Sequence, residues 1–299
     1  MDYAKEIQKL KKEQNAILLV HNYQRPEIQD IADILGDSLG LAKEAAVTKN
    51  DMIVFCGVKF MAETAKILSP DKLVVTPRID ATCPMAHMIT EDDVLEMKKK
   101  YPNAVVVSYV NTTAEVKAVT DVCCTSANAV KVVQNVKAQQ IIFTPDKNLA
   151  AYVQRFTDKQ IIPWEGYCYV HQKMRKEEII EAKKKYPEAV VLVHPECDPE
   201  VIDSADEVLS TSGMVKFAKV SNKKQFLIGT EEGLIYRLKK ENPDKEFYSA
   251  GTAKTCLNMK KITIEDVYNA LKNKQYEITL PDDIMKKAKN SLDEMLKYI

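Results

Sequence analysis

The feature that most constrains the fold of this chain is an internal repeat. The segment KKKYPNAVVVSYVN at 98–111 matches KKKYPEAVVLVHPE at 183–196, an offset of 85 residues. The segment NAILLVHNY at 15–23 aligns with NAVVVSYVN at 103–111, an offset of 88 residues. Each is a run of Val, Ile and Leu that ends in polar residues, which predicts a buried parallel strand whose carboxyl end opens into a site. The chain therefore consists of three copies of one unit.

The same order of elements follows this first strand in each copy. Second strands are predicted at 51–58, 139–146 and 224–231, with helices after them at 60–68, 148–156 and 233–241. Third strands are predicted at 72–77, 159–164 and 245–250. This alternation predicts right-handed crossovers and a parallel sheet between helices. The expected fold class is α/β, with three pseudo-threefold-related three-layer units and the active site at the centre.

The repeat also predicts the domain boundaries. The units are expected at 1–83, 84–168 and 169–256. Helices after the first and third units are expected to begin with capping boxes, at 89–93 and 262–266, with Thr at the cap and Asp three residues later. The remaining segment, 257–299, contains one extra helix and a C-terminal helix at 282–298, and we expect it to pack on the first unit.

Composition excludes several classes of function. The 43 Lys and Arg residues balance 43 Asp and Glu residues, so nothing requires the basic face typical of nucleic-acid binding. No apolar run approaches the roughly 18 residues that a membrane-spanning helix needs. The amino terminus, MDYAKEIQKLKKEQ, lacks the apolar core of a signal peptide. We therefore expect a cytoplasmic protein with reduced thiols that binds neither nucleic acid nor membrane.

Three of the seven cysteines follow the repeat. Cys83, Cys168 and Cys256 each come shortly after a third strand, at spacings of 85 and 88 residues. The cysteines without counterparts at this spacing are Cys56, Cys123, Cys124 and Cys197. A pseudo-threefold axis would bring the three matched thiols to one point, where they could bind zinc or an iron–sulfur cluster. The absence of CxxC pairs favours the cluster, although the spacing alone does not identify the metal.

Polar residues at the carboxyl ends of the first strands form a candidate ligand site, because ligands of open α/β sheets bind beyond these ends. The strand ends are His21-Asn22-Tyr23, Tyr109-Val110-Asn111 and His194-Pro195-Glu196. Two of the chain's four histidines, His21 and His194, occupy equivalent positions, which favours a functional role. We interpret the other two, His87 and His171, as packing groups or as supports for the metal ligands.

Hydroxyl side chains in the next turn of each unit form a second group of candidates. They are Ser38, Thr125-Ser126 and Thr211-Ser212, each ahead of a predicted helix. Ser and Thr commonly cap helices, and a helix N-terminus also binds anions. The two interpretations are compatible, and both stay open. Three such helix ends at one site would suit a substrate with several negative charges.

Longer motifs connect these candidates. They are HNYQ (21–24), GDSL (36–39), FCGVKFMAETAKIL (55–68), CPMA (83–86), VSYVNTTAEVKA (107–118), CTSANA (124–129), WEGYCYVH (164–171), HPEC (194–197), STSGM (210–214) and GTEEGL (229–234). With these motifs the chain closely resembles the quinolinate synthase family, iron–sulfur enzymes of NAD biosynthesis. The resemblance implies condensation of iminoaspartate with dihydroxyacetone phosphate to give quinolinate, phosphate and water, a transferase reaction with dehydration steps.

The resemblance also implies a cofactor and roles for individual residues. It implies a [4Fe–4S] cluster on Cys83, Cys168 and Cys256, with an open fourth iron that contacts substrate. The implied substrate-binding residues are His21, Ser38, Tyr109, Asn111, Ser126, His194, Glu196 and Thr211. Tyr23 carries over as a catalytic residue, and we pair it with Glu196 as acid and base, assisted by His21 and Tyr109.

Other functions stay open beside this one. A different [4Fe–4S]-dependent hydro-lyase would use the same open iron without a phosphate site. A cluster-based sensor on a solute-binding fold is the non-enzymatic alternative. If the resemblance holds, the partner that supplies iminoaspartate is expected to be L-aspartate oxidase or another enzyme with that product.

Overall fold

The computed structural model, which describes residues 2–298, contains three units with the same order of elements. The first has strands β1 (Ala16–His21), β2 (Ile34–Gly36), β3 (Met52–Cys56) and β4 (Leu73–Val75), and helices α1 (Tyr3–Glu13), α2 (Pro26–Gln29), α3 (Ser38–Val47) and α4 (Lys59–Leu68). The second has strands β5 (Val105–Tyr109), β6 (Val122–Cys124), β7 (Gln140–Thr144) and β8 (Gln160–Pro163), and helices α5 (Glu91–Lys100), α6 (Ala114–Ala118), α7 (Ala129–Asn135) and α8 (Lys147–Gln154). The third has strands β9 (Val190–Val193), β10 (Glu207–Val208), β11 (Gln225–Gly229) and β12 (Glu246–Ser249), and helices α9 (Lys176–Lys185), α10 (Pro199–Ile202), α11 (Thr211–Val220) and α12 (Gly233–Glu241).

Each unit forms one four-stranded parallel sheet, and the strand order is the same in all three. The orders are β2-β1-β3-β4, β6-β5-β7-β8 and β10-β9-β11-β12. The two central strands of each sheet carry the long apolar runs of the sequence and are almost fully buried. The expected α/β class with three repeated, helix-flanked parallel sheets is therefore confirmed.

The short outer strands β2, β6 and β10 were not predicted. They contain two or three residues, too few to show a hydrophobic period. An aspartate just before each one, at 33, 121 and 206, accepts a main-chain N–H from the neighbouring central strand. The donors are Leu18, Val106 and Val191, each at 2.8 Å. A repeated side-chain hydrogen bond thus helps to dock each outer strand.

Some helices begin at the capping residues that the sequence analysis identified, and some end in charged residues. Both expected capping boxes are present, with Thr90 and Asp93 at the start of α5, and Thr263 and Asp266 at the start of a later helix, α13 (Ile264–Asn273). Lysines occupy the last turns of α5 and α9, where they stabilise the negative end of the helix dipole. Within residues 2–298, no helix combines the length and the apolar character needed to cross a membrane.

The C-terminal segment contacts two units. α13 packs on α1 and β3 of the first unit. α14 (Asp282–Leu296) contacts α6 and β6 of the second unit and α4 of the first, and its buried face includes Leu292 and Met295. The expected position of this segment was on the first unit, and α14 also joins that unit to the second. The terminal residues of the predicted segments 1–83 and 257–299, Met1 and Ile299, lie outside the described residues.

Candidate active site

The carboxyl ends of the three sheets converge on one cavity. It is lined by the twelve residues to which the resemblance assigns catalytic, substrate-binding or cluster-binding roles, which are His21, Tyr23, Ser38, Cys83, Tyr109, Asn111, Ser126, Cys168, His194, Glu196, Thr211 and Cys256. Of the other two hydroxyl candidates, Thr125 lines the cavity and Ser212 does not. Val58, Phe60 and Met61 contribute apolar surface to the same cavity. The structure therefore brings the two candidate groups and the three matched cysteines into a single site.

The twelve residues form four triplets with one member from each unit. The first three triplets are His21, Tyr109 and His194; Tyr23, Asn111 and Glu196; and Ser38, Ser126 and Thr211, all spaced by 88 and then 85 residues. The fourth is the cysteine triplet. Equivalent positions in three copies of a parallel sheet point to the same central space, so the repeat itself assembles the site.

A short 3₁₀-helix supports each cysteine of the fourth triplet. These helices span Pro84–His87, His171–Lys173 and Met259–Lys261. Nearby main-chain N–H groups lower the pKa of each thiol, those of Met85 and Ala86 for Cys83, that of His171 for Cys168, and those of Asn258 and Met259 for Cys256. N–H donors directed at sulfur stabilise the thiolate form, which is the form that binds metal.

The donor set of the cysteine triplet fits a thiolate-bound metal group. Burial raises the pKa of Cys83 to about 12, and it also raises the pKa of Cys168 and of Cys256. Neighbouring charges add to the effect, since Cys256 and Glu196 raise the pKa of Cys83. Three partly buried thiolates at one site are costly without a compensating cation, which a metal centre provides. The four other cysteines are fully buried and do not line the cavity.

The two predicted histidines are neutral hydrogen-bond donors. Tyr23 donates its main-chain N–H to His21 Nδ1 at 3.2 Å, and Glu196 donates its N–H to His194 Nδ1 at 3.4 Å. Because Nδ1 accepts in both rings, the proton of each neutral imidazole lies on Nε2. Burial lowers the pKa of His21 to about 4 and that of His194 to about 3.

Glu196 is held as a carboxylate by its neighbours. Tyr109 donates its hydroxyl to Glu196 Oε1 at 2.5 Å, and His171 Nδ1 lies 2.8 Å from Oε2. Burial alone would raise the pKa of Glu196, but His171, His194 and these hydrogen bonds lower it to about 2. Glu196 is thus ionised, and both of its oxygens are engaged.

His171 is a site residue that the sequence analysis did not place in the site. Its Nε2 lies 2.9 Å from Thr230 Oγ1, which is 2.5 Å from the Tyr23 hydroxyl, so a hydrogen-bond chain runs from Tyr23 to Glu196. One potential metal-ligand atom from each of His171, Glu196 and Cys168 lies within 4.8 Å of the other two. The signal in the sequence was the position of His171 three residues after a repeat-matched cysteine; its interpretation as a packing or supporting group omitted this chain.

The hydroxyl triplet does not cap helices. The capping side chains of α3 and α11 are Asp37 and Ser210, which precede Ser38 and Thr211. α7 begins at Ala129, so Ser126 lies in the turn before it. The capping interpretation is therefore wrong for these three residues, and the anion-binding interpretation stays a prediction.

Further polar groups near this triplet favour a bound ligand. Asn22 donates to Thr211 Oγ1 at 2.8 Å, which leaves the Thr211 hydroxyl proton available to a ligand. The buried Oδ1 of Asn111 has no hydrogen-bond partner within residues 2–298. No lysine or arginine of the described chain lines the cavity, so anions there would be bound by N–H and O–H donors.

Comparison with known proteins gives one consistent result. The family model described as quinolinate synthetase A protein matches residues 5–297. The quinolinate synthase of Thermodesulfovibrio yellowstonii is 55% identical over 295 residues, which cover 98% of this chain and 97% of the relative. That of Methanoregula boonei is 52% identical over 291 residues, covering 97% and 96%. That of Alkaliphilus metalliredigens is 53% identical over 293 residues, covering 98% and 97%.

Proposed function

Because the chain belongs to the quinolinate synthase family and is an enzyme, we propose that it condenses iminoaspartate with dihydroxyacetone phosphate to give quinolinate, phosphate and water. The main observation that supports this proposal is that the four triplets line one cavity. The reaction is a transferase-type condensation with dehydration steps. It needs anion-binding groups and acid/base groups together, and the hydroxyl, imidazole and carboxylate side chains that line the cavity are candidates for both roles.

The proposed cofactor is a [4Fe–4S] cluster bound by Cys83, Cys168 and Cys256. When bound by three cysteines, such a cluster has one open iron and supplies a Lewis acid for dehydration. Main-chain N–H groups near each thiol lower its pKa and so favour the thiolate form that the cluster requires. The three ligands come from three units, so they support a single shared centre better than three separate ones.

The substrates' two carboxylates and one phosphate would be bound by neutral donors. Ser38 and Thr211 are the first residues of α3 and α11, where free N–H groups and the helix dipole favour anions. The Nε2–H groups of His21 and His194 can donate to a carboxylate or a carbonyl oxygen without adding a charge. Asn111 can accept a hydrogen bond from substrate through its unpaired Oδ1, while its amide donates.

Proton transfer is assigned to the chain that begins at Tyr23. The Glu196 carboxylate favours the proton of His171 on Nδ1, so Nε2 can accept from Thr230, which in turn accepts from Tyr23. Loss of the Tyr23 proton along this chain gives a phenolate base and an imidazolium that Glu196 stabilises. Burial raises the pKa of Tyr23 well above its usual value, so this acceptor is what makes Tyr23 usable as a base.

Location and partners are part of the same proposal. Seven free cysteines suit a reducing compartment such as the cytoplasm. Iminoaspartate would come from L-aspartate oxidase or another enzyme that makes it. Nucleic acid and membrane lipids are not proposed as partners.

The test is an anaerobic assay for quinolinate with iminoaspartate generated in place and dihydroxyacetone phosphate added. Quinolinate formation that requires both substrates and scales with bound iron supports the proposal. Dehydration of a hydroxy acid without quinolinate would indicate the alternative hydro-lyase. Iron binding with neither activity would indicate a sensor. A Tyr23→Phe variant that keeps its iron is the negative control for turnover.

A further inference from the structure

Two fully buried carboxylates, Asp146 and Glu231, bind the main chain of two of the three matched cysteines. Asp146 Oδ2 accepts the N–H of Cys168 at 3.2 Å, and Glu231 Oε1 accepts the N–H of Cys256 at 3.1 Å. The second oxygen of each carboxylate accepts an N–H near the start of the next helix. These donors are Leu149 in α8 and Gly233 in α12, both at 2.7 Å. Each carboxylate therefore joins a cysteine segment to a helix of the sheet.

The two carboxylates occupy equivalent positions in the repeat. Asp146 comes two residues after β7 and Glu231 two residues after β11. The matching residue of the first unit, two residues after β3, is Val58. A main-chain hydrogen bond joins this part of the chain in all three units, from Lys59 to Ala81 at 2.8 Å, from Lys147 to Gly166 at 2.9 Å and from Glu232 to Lys254 at 3.0 Å. A carboxylate is thus not needed to build a unit, and its presence in two units requires another explanation.

Neither group is available for the reaction itself. Neither Asp146 nor Glu231 lines the cavity. The oxygens of both are engaged by N–H donors, and Glu231 also pairs with Lys260 at 3.0 Å. Burying a carboxylate costs several kcal/mol unless its hydrogen bonds are satisfied. In both units these bonds end on the residue whose side chain would bind iron.

We propose that Asp146 and Glu231 are positioning residues that hold Cys168 and Cys256 in the conformation needed to bind the cluster. This inference rests on the proposed function, because it presumes that the cysteines bind iron. The outer partners of metal ligands orient them, and losing such a partner typically weakens metal binding about 10- to 100-fold. The third ligand, Cys83, has no such carboxylate and is not expected to depend on one.

The test uses Asp146→Asn and Glu231→Gln, which keep the shape of each side chain. An amide has one acceptor oxygen, so one of the two main-chain donors loses its partner. In anaerobic competition with a chelator, we expect both variants to bind iron roughly 10- to 100-fold more weakly than the native chain. Matched controls are Asp121→Asn and Asp206→Asn, which disturb carboxylates that accept the N–H groups of Val106 and Val191 in the central strands of the same two units.

The outcomes separate this inference from the proposed function. If Asp146→Asn and Glu231→Gln retain iron as well as the controls do, the inference is overturned, but the proposal that the three cysteines bind a cluster still stands. A native chain that binds no iron and sulfide would overturn the cluster and the inference together. If a variant does not fold, the inference is tested by measuring amide hydrogen exchange in the native chain without its cluster. The Cys168 and Cys256 amides should exchange more slowly than that of Cys83, and equal rates would refute the assignment.

Discussion

Main-chain N–H groups determine which nitrogen of His21 and His194 carries the proton. In both cases the donor is the residue two positions later, Tyr23 or Glu196, which is itself a site residue. The same short segment thus positions an acid/base residue and orients a neutral donor beside it. A protonated imidazole at either position would lose this hydrogen bond, because a charged ring has no acceptor.

The first prediction concerns the protonation of His21. Its pKa is about 4 in the folded chain and about 6.5 when exposed, because burial disfavours the charged ring. Between these values the unfolded chain binds a proton that the folded chain does not. This contribution to stability is complete above pH 6.5 and falls by about 2 kcal/mol at pH 5. Nitrogen-15 NMR of labelled histidines should show an Nε2–H ring titrating near pH 4, absent in His21→Asn. A ring that titrates near 6.5 would contradict it.

The second prediction concerns Thr230, which links Tyr23 to His171. Thr230→Val keeps the shape of the side chain and removes the hydroxyl, so turnover should fall roughly 10²- to 10⁴-fold. Thr230→Ser keeps the hydroxyl and should retain most of the activity. Single-turnover kinetics at equal iron content is the measurement. Similar rates in the Val and Ser variants would exclude the hydrogen-bond chain from the mechanism.

At the scale of elements, the sequence predicted strands and helices with a periodic apolar pattern and missed the short strands whose pairing depends on residues distant in sequence. The central strands and main helices follow from apolar runs and turn residues, and the structure contains them within a few residues of the expected bounds. The strands β2, β6 and β10 depend on hydrogen bonds from residues distant in sequence, which no local pattern reveals. The helix starts differ from this, because Asp37 and Ser210 accept the N–H groups of Gly40 and Gly213 only three residues later, and the predicted caps were wrong by one residue.

The third prediction uses the repeated aspartate of the outer strands. Asp33 pairs with Lys11, whose side chain is only 7% exposed, at 2.6 Å, whereas Asp206 lies 3.8 Å from the more exposed Lys183. Each substitution to Ala removes a hydrogen bond from a main-chain N–H. Only Asp33→Ala also leaves the buried ammonium group of Lys11 without its carboxylate partner. We expect losses of about 3 kcal/mol for Asp33→Ala and about 1 kcal/mol for Asp206→Ala. Denaturant unfolding of the cluster-free proteins measures both, and equal losses would contradict the explanation.

At the scale of the whole molecule, the repeat explains why so much of the site could be predicted. Three copies of a strand end provide equivalent positions, so spacing alone selected the cysteines, and the strand ends selected six cavity residues. The repeat did not identify His171 and Thr230 as site residues, because neither is matched by a residue of the same type in the other units. The contacts of α14 with two units were equally hidden, since an amphipathic helix does not identify the surface that covers it.

The last prediction follows from the distribution of the cysteines over three units. If Cys83, Cys168 and Cys256 bind one cluster, each ligand contributes across the interfaces between units, and losing any one should have the same consequence. Replacement of each by Ala should remove the iron–sulfur absorbance, abolish quinolinate formation and lower the melting temperature to that of the cluster-free chain, because a group bound only by the folded state stabilises it.

The matched control for this prediction is Cys197→Ser. Cys197 is next to Glu196 in sequence and fully buried, yet its thiol is directed at Met174 Sδ at 3.5 Å and does not line the cavity. The variant should keep its iron, although a buried hydroxyl in place of a thiol will cost some stability. Substitutions at Cys56, Cys123 and Cys124 should behave in the same way. Loss of the cluster from Cys197→Ser in a folded protein, or its retention in any of the three Ala variants, would show that the repeat does not define the ligand set.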